Sequence, residues 1–131
     1  MNNEIERAWD LFRNIVALAR GAEEHAAEAE RAACCAVVLE DEDRSISERA
    51  ALEHTGMAQR YACAAKKYCR QLQALAESSG NGHVADHLRN AENHVSRAEK
   101  AKICAMEADE ALAEILGGRP ITKLVCQMTK L

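Results

Sequence analysis

Aromatic residues are nearly missing from this chain: Trp9, Phe12, Tyr61 and Tyr68 are the whole set, 3% of 131 residues. Proline occurs once and glycine six times. Strands draw on aromatic residues and on frequent turn formers between them, so the composition points away from sheet and towards long helices. Long apolar runs are missing too. The longest, "AACCAVVL" at 32–39, is far short of the roughly 18 residues that a membrane span requires. The acidic start "MNNEIERAWD" lacks the basic, apolar character of a secretion signal. The expectation is a soluble, cytoplasmic protein. Its six cysteines are then read as reduced thiols rather than a disulfide framework, since two of them, Cys34 and Cys35, are adjacent in a helical stretch.

What the chain does have is apolar periodicity. In residues 5–36 two interleaved seven-residue series, Ile5, Phe12, Ala19, Ala26, Ala33 and Ala8, Ile15, Ala22, Ala29, Ala36, hold no polar member. That pattern marks a long helix with a coiled-coil seam. A second seam runs Ala51, His54, Ala58, Tyr61, Ala65, Tyr68, Leu72, Leu75, and a third runs from Val84 through Ala91, Ala98 and Ala105 to Leu112 and Ile115. The breaks fit the same division. "EDEDRSISE" is read as closing the first helix and opening the second through a Ser45/Glu48 capping box. "SSGNG" supplies a left-handed stop and Asn81 as a cap, and "GGRP" stops the third helix ahead of a short closing one built on Ile121, Leu124, Val125 and Met128. The expected fold is one all-α domain over 1–131, an antiparallel bundle of three long helices (about 3–42, 46–78 and 83–116) and a short C-terminal helix (about 120–130).

Catalytic signatures are absent: there is no HExxH, CxxC, GxSxG or P-loop, and no glutamate has a histidine three residues on. No enzyme and no cofactor are expected. Two groups of metal-ligating residue types remain. "HVADHLRNAENH" holds His83, His87 and His94, which share one flank of the third helix at about −60° to −100° from its apolar stripe. Half-buried edge histidines are the first reading there and ligands the second, with Glu23 as a further ligand or hydrogen-bond acceptor. If the chain folds back at 44/45, Cys34 and Cys35 come level with His54 and, across the third helix, with Cys104, a set suited to copper or zinc. Cysteine packed as a small apolar residue is the first reading of this group, and the metal set the alternative.

Charge is uneven. Residues 1–43 carry 11 acids against 4 bases, while the last fifteen residues carry three bases and no acid. An acidic first helix repels phosphate backbones, so nucleic acid is not an expected partner, and Arg60, Lys66, Lys67 and Arg70 are read as a solvated face or as pairing with the acids. The leading expectation is a non-enzymatic protein–protein binding module: an adaptor, assembly subunit or inhibitor that docks Glu23, Glu24, Glu28 and Glu30 onto a basic surface of another protein. A phage or mobile-element inhibitor of a host nucleic-acid machine fits that size and acidity. The alternatives are a soft-metal binding or sensing bundle and a coiled coil self-assembling through its alanine seam as a homodimer.

Overall fold

The computed structural model describes residues 2–117, which form three helices with no strand among them: α1 (Asn2–Val38), α2 (Asp41–Ser79) and α3 (Gly82–Leu116). Each helix touches both others, and two-residue turns reverse the chain at Leu39–Glu40 and at Gly80–Asn81. With turns this short, α2 is antiparallel to both neighbours and α1 runs parallel to α3. This is the expected bundle of three long helices. The short closing helix expected at about 120–130 lies outside the described residues.

The two apolar series of α1 account for its buried stripe, where Ala8, Ile15, Ala22, Ala29 and Ala36 lose all solvent contact. Four layers follow one another along the bundle. Next to the Gly80–Asn81 turn, Ala8, Leu11, Ile15, Ala65, Leu72, Val84 and Ala91 form the one layer with large side chains. The remaining layers are nearly all alanine: Ala19, Ala22, Ala62 and Ala98, then Ala26, Ala29, Ala58 and Ala105, then Ala33, Ala36 and Ala51 with Leu112. A buried alanine contributes about one methyl group of apolar burial where leucine contributes about 1.5–3 kcal/mol, so these layers stabilise mainly by letting three backbones approach.

On α2 the core line is rotated from the expected one. Thr55 and Ala62 are buried where His54 and Tyr61 were expected, and His54, Tyr61 and Tyr68 stand half-buried on the flank facing α1. Bulky rings cannot enter layers spaced by alanine, whereas a methyl and a hydroxyl can.

The first turn also differs. α1 stops at Val38, not at about 42, and Ser45 lies inside α2, so no Ser45/Glu48 capping box starts that helix; its N-cap is Glu40, with no side-chain cap bond. Electrostatics explain the shift. Asp41, Glu42 and Asp43 would sit unfavourably at the negative C-terminal end of α1, but they form the first turn of α2, where the helix dipole is positive. Asp41 takes a left-handed φ of 52°, which aspartate tolerates better than most residues. Arg44 then donates from Nε to the Ala36 carbonyl at 3.1 Å, satisfying an end group of α1 from the first turns of α2. At the second turn Gly80 adopts a left-handed φ of 63° and Asn81 Oδ1 accepts from the His83 amide at 2.8 Å, as expected from "SSGNG".

Close packing of the alanine layers predicts an asymmetry between variants. Leu72→Ala should lower unfolding stability by about 2–5 kcal/mol through the space left behind. Ala62→Leu, though it adds apolar surface, should also lower it, by about 1–3 kcal/mol. Chemical denaturation reads both, and a stabilised Ala62→Leu variant would contradict close helix approach.

Candidate functional site

Moving the α1–α2 turn five residues towards the N-terminus changes which side chains meet. His54 does not come level with Cys34 and Cys35. It meets His25, the one histidine that sequence reasoning passed over, with Nδ1 to Nδ1 at 2.9 Å. An imidazole Nδ1 carries either a proton or a lone pair, so one ring donates here and the other accepts. The ring centroids are 5.2 Å apart, and the Tyr61 ring also lies 5.2 Å from that of His25. Tyr61 has that place because Gly21 leaves room for it: a Cβ at position 21 would fall 2.6 Å from Tyr61 Cδ2. Both histidines are half-buried and line a solvent-open groove whose wall includes Arg20, Glu24, Glu28 and Arg31.

The three histidines of "HVADHLRNAENH" stay on the edge of α3. His83 is exposed beside the turn, while His87 and His94 are half-buried against aromatic rings. Phe12 lies 5.4 Å from His87 and 5.9 Å from His94, and Trp9, itself 46% exposed, lies 5.4 Å from His87. Glu23 accepts instead from Arg97, at 3.1 Å.

Cysteine chemistry is dispersed as well. Cys34 and Cys35 are exposed, as is Cys63, while Cys69 and Cys104 are half-buried, and all five are free thiols. Burial pushes the Cys104 thiol above its usual range, and Glu30 and Glu107 push it the same way. Cys69 is raised by burial and by Glu92. A thiol that holds its proton is a poor ligand and a poor nucleophile. Among the described residues no three His, Cys, Asp or Glu side chains gather in a way that could hold a metal ion. The sets Cys34, Cys35, His54, Cys104 and His83, His87, His94 are therefore not brought together: the first rested on a fold-back at 44/45 that the packing does not supply, and in the second His87 and His94 lie against aromatic rings while His83 is exposed.

The four glutamates of the acidic reading spread over the outward half of α1. Glu23 is paired with Arg97 and Glu28 with Arg31, while Glu24 and Glu30 are exposed. Between α2 and α3, Glu99 bridges Lys102 at 2.7 Å and Lys66 at 3.7 Å. The Lys102 hydrogen bond is the main cause of its lowered pKa. Further along α3, Asp109 is poorly placed. Its Oδ1 is buried without a hydrogen bond, and burial raises its carboxyl pKa. The Thr55 hydroxyl opposes that shift but sits outside full hydrogen-bond geometry, so burial wins.

No protein-family model matches the chain, and neither a curated protein nor a solved structure matches it.

Two outcomes follow from this geometry. Gly21→Ala should destabilise the protein despite the better helix propensity of alanine, and the penalty should shrink when Tyr61→Ala is combined with it; additive effects in that double-mutant cycle would deny the contact. Asp109 tests pH dependence. A carboxyl with a raised folded pKa favours folding only below the unfolded value, about 3.9, and loses that contribution as pH rises through the folded value. Asp109→Asn should therefore raise the denaturation midpoint at pH 7, with the gain fading below about pH 4. A gain independent of pH would show that burial of the charge is not the cause.

Proposed function

We propose that the chain is a non-enzymatic protein-binding module, an adaptor or inhibitor acting in the cytoplasm, that presents the Leu39–Glu40 end of its bundle to a basic surface of another protein. The observation behind this reading is the mixture of apolar and acidic side chains at that end. Val38 is 80% exposed and Ile46 61%, close in the chain to the exposed Glu40, Asp41, Glu42 and Asp43, and Leu52, 64% exposed, follows about three turns into α2. Leu52 also lines a shallow groove with Leu112, Ala113 and Leu116. Exposed apolar groups rimmed by charge are the composition of a docking surface, with burial supplying affinity and the carboxylates supplying orientation and encounter rate.

The outward side of α1 extends this surface with less charge than its sequence suggests. Glu24 and Glu30 face solvent, whereas Glu23 and Glu28 already have arginine partners and contribute less to an incoming cation. No helix among the described residues is long and apolar enough to cross a membrane.

Affinity capture from a lysate of the natural host, with partners identified by mass spectrometry, tests the reading. A basic protein should be retained by the unmodified chain, released as salt is raised, and lost when Val38, Ile46 and Leu52 are replaced together by serine. Undiminished capture by the triple-serine variant, or a partner held equally well at high salt after Glu40→Lys and Asp43→Lys, would overturn it.

A further inference from the structure

The His25–His54 pair brings two imidazole nitrogens from different helices together in a groove open to water. We propose that these two side chains form a clamp for a divalent transition-metal ion, tying α1 to α2 through their Nδ1 atoms.

The geometry asks for a turn of the two rings and no displacement of the helices. Imidazole nitrogens bind zinc at about 2.0–2.1 Å, which at a tetrahedral angle places two of them about 3.3 Å apart. The observed separation is 2.9 Å. With ring centroids 5.2 Å apart the two nitrogens now meet head-on. Besides opening by a few tenths of an ångström, each ring must therefore turn by about 35° to aim its lone pair at an ion lying to one side of the line between them. The ion coordinates both Nδ1 lone pairs, the ring that was donating moves its proton from Nδ1 to Nε2, and an aqua ion of about six waters gives up about four of them as it becomes tetrahedral. No proton is lost overall. Tyr61 lies against His25 and limits its swing, and Gly21 holds Tyr61 close to α1. The charges of the groove balance, since Glu28 is paired with Arg31 and Glu23 with Arg97, leaving Glu24 to offset Arg20; the imidazole nitrogens and not a net negative field hold the ion.

The clamp has two protein ligands, consistent with the lack of any three-ligand group among the described residues, so water completes the coordination shell. Such a site is selective for ions that favour imidazole nitrogen, copper(II), nickel(II) and zinc(II), over magnesium and calcium, which favour oxygen. Zinc is the suitable probe because it does not oxidise the thiols. The half-buried Cys69 and Cys104, whose pKa values are raised, compete weakly, unlike the exposed cysteines.

The experiment is a calorimetric titration of zinc into the full chain at pH 7.5, in a background with serine at Cys34, Cys35, Cys63 and Cys126. One equivalent should bind, weaken at least tenfold in both His25→Gln and His54→Gln, and persist when His83, His87 and His94 are all replaced by glutamine. Glutamine keeps a polar side chain of similar reach at each position, and circular dichroism checks that each variant is folded. Histidine ring resonances should shift at His25 and His54 on zinc addition. Binding that survives both single variants, that disappears with the α3 histidines, or that is absent from the folded background protein would overturn the clamp.

Discussion

Leu39 and Glu40 are the only residues between α1 and α2, and this turn fixes which side chains meet along 37 residues of α1 and 39 of α2. Along the alanine layers the packing itself says little about register, because one layer resembles the next. The acidic run Asp41–Asp43 supplies a marker by favouring the start of a helix over the end of one. Arg44 fastens it through the Ala36 carbonyl. From that register follow the His25–His54 contact, the Gly21–Tyr61 contact and the exposure of Cys34 and Cys35.

The second constraint is volume. With alanine in three of four layers the helices lie close, and the larger side chains are displaced to the flanks of the grooves. There they meet partners from the neighbouring helix: His54 and Tyr61 of α2 meet His25 of α1, and His87 and His94 of α3 meet Trp9 and Phe12. A core of this kind contributes little apolar burial per residue, and its polar defects weigh accordingly. Asp109 and Thr55 face one another inside it without a full hydrogen bond.

Much of this was legible in the sequence. The α1 series predicts most of its buried stripe, from Ala8 and Ile15 to Ala36, but Ile5 and Phe12 are only half-buried and Leu11 enters the core from outside both series. Gly80 and Asn81 predict the second turn because each has the backbone or side-chain chemistry its position needs. The α1–α2 turn was misplaced for a physical reason: Ser45 and Glu48 have the pattern of a capping box, but the same residues also fit a helix interior, and the dipole preference of the three preceding acids outweighs the cap. That error of five residues is more than a helical turn, enough to replace His25 by Cys34 and Cys35 opposite His54. The rotation of α2 was hidden as well, because a repeat that alternates alanine with histidine and tyrosine does not say which flank of the stripe is buried. The acidic face was visible as composition, but the partners of Glu23 and Glu28 were not, since Arg97 is 74 residues away from Glu23 in the chain.

The functional readings depend on the same register, which sets both the end of the bundle that is offered to a partner and the two imidazoles that converge. The most direct measurement is therefore a nuclear Overhauser spectrum of the isotopically labelled chain, read at the His54 ring. The account predicts contacts from that ring to the His25 ring, together with contacts between the rings of His25 and Tyr61. Contacts from the His54 ring to the β-protons of Cys34 or Cys35, with none to His25, would place the turn at 44/45 and contradict it.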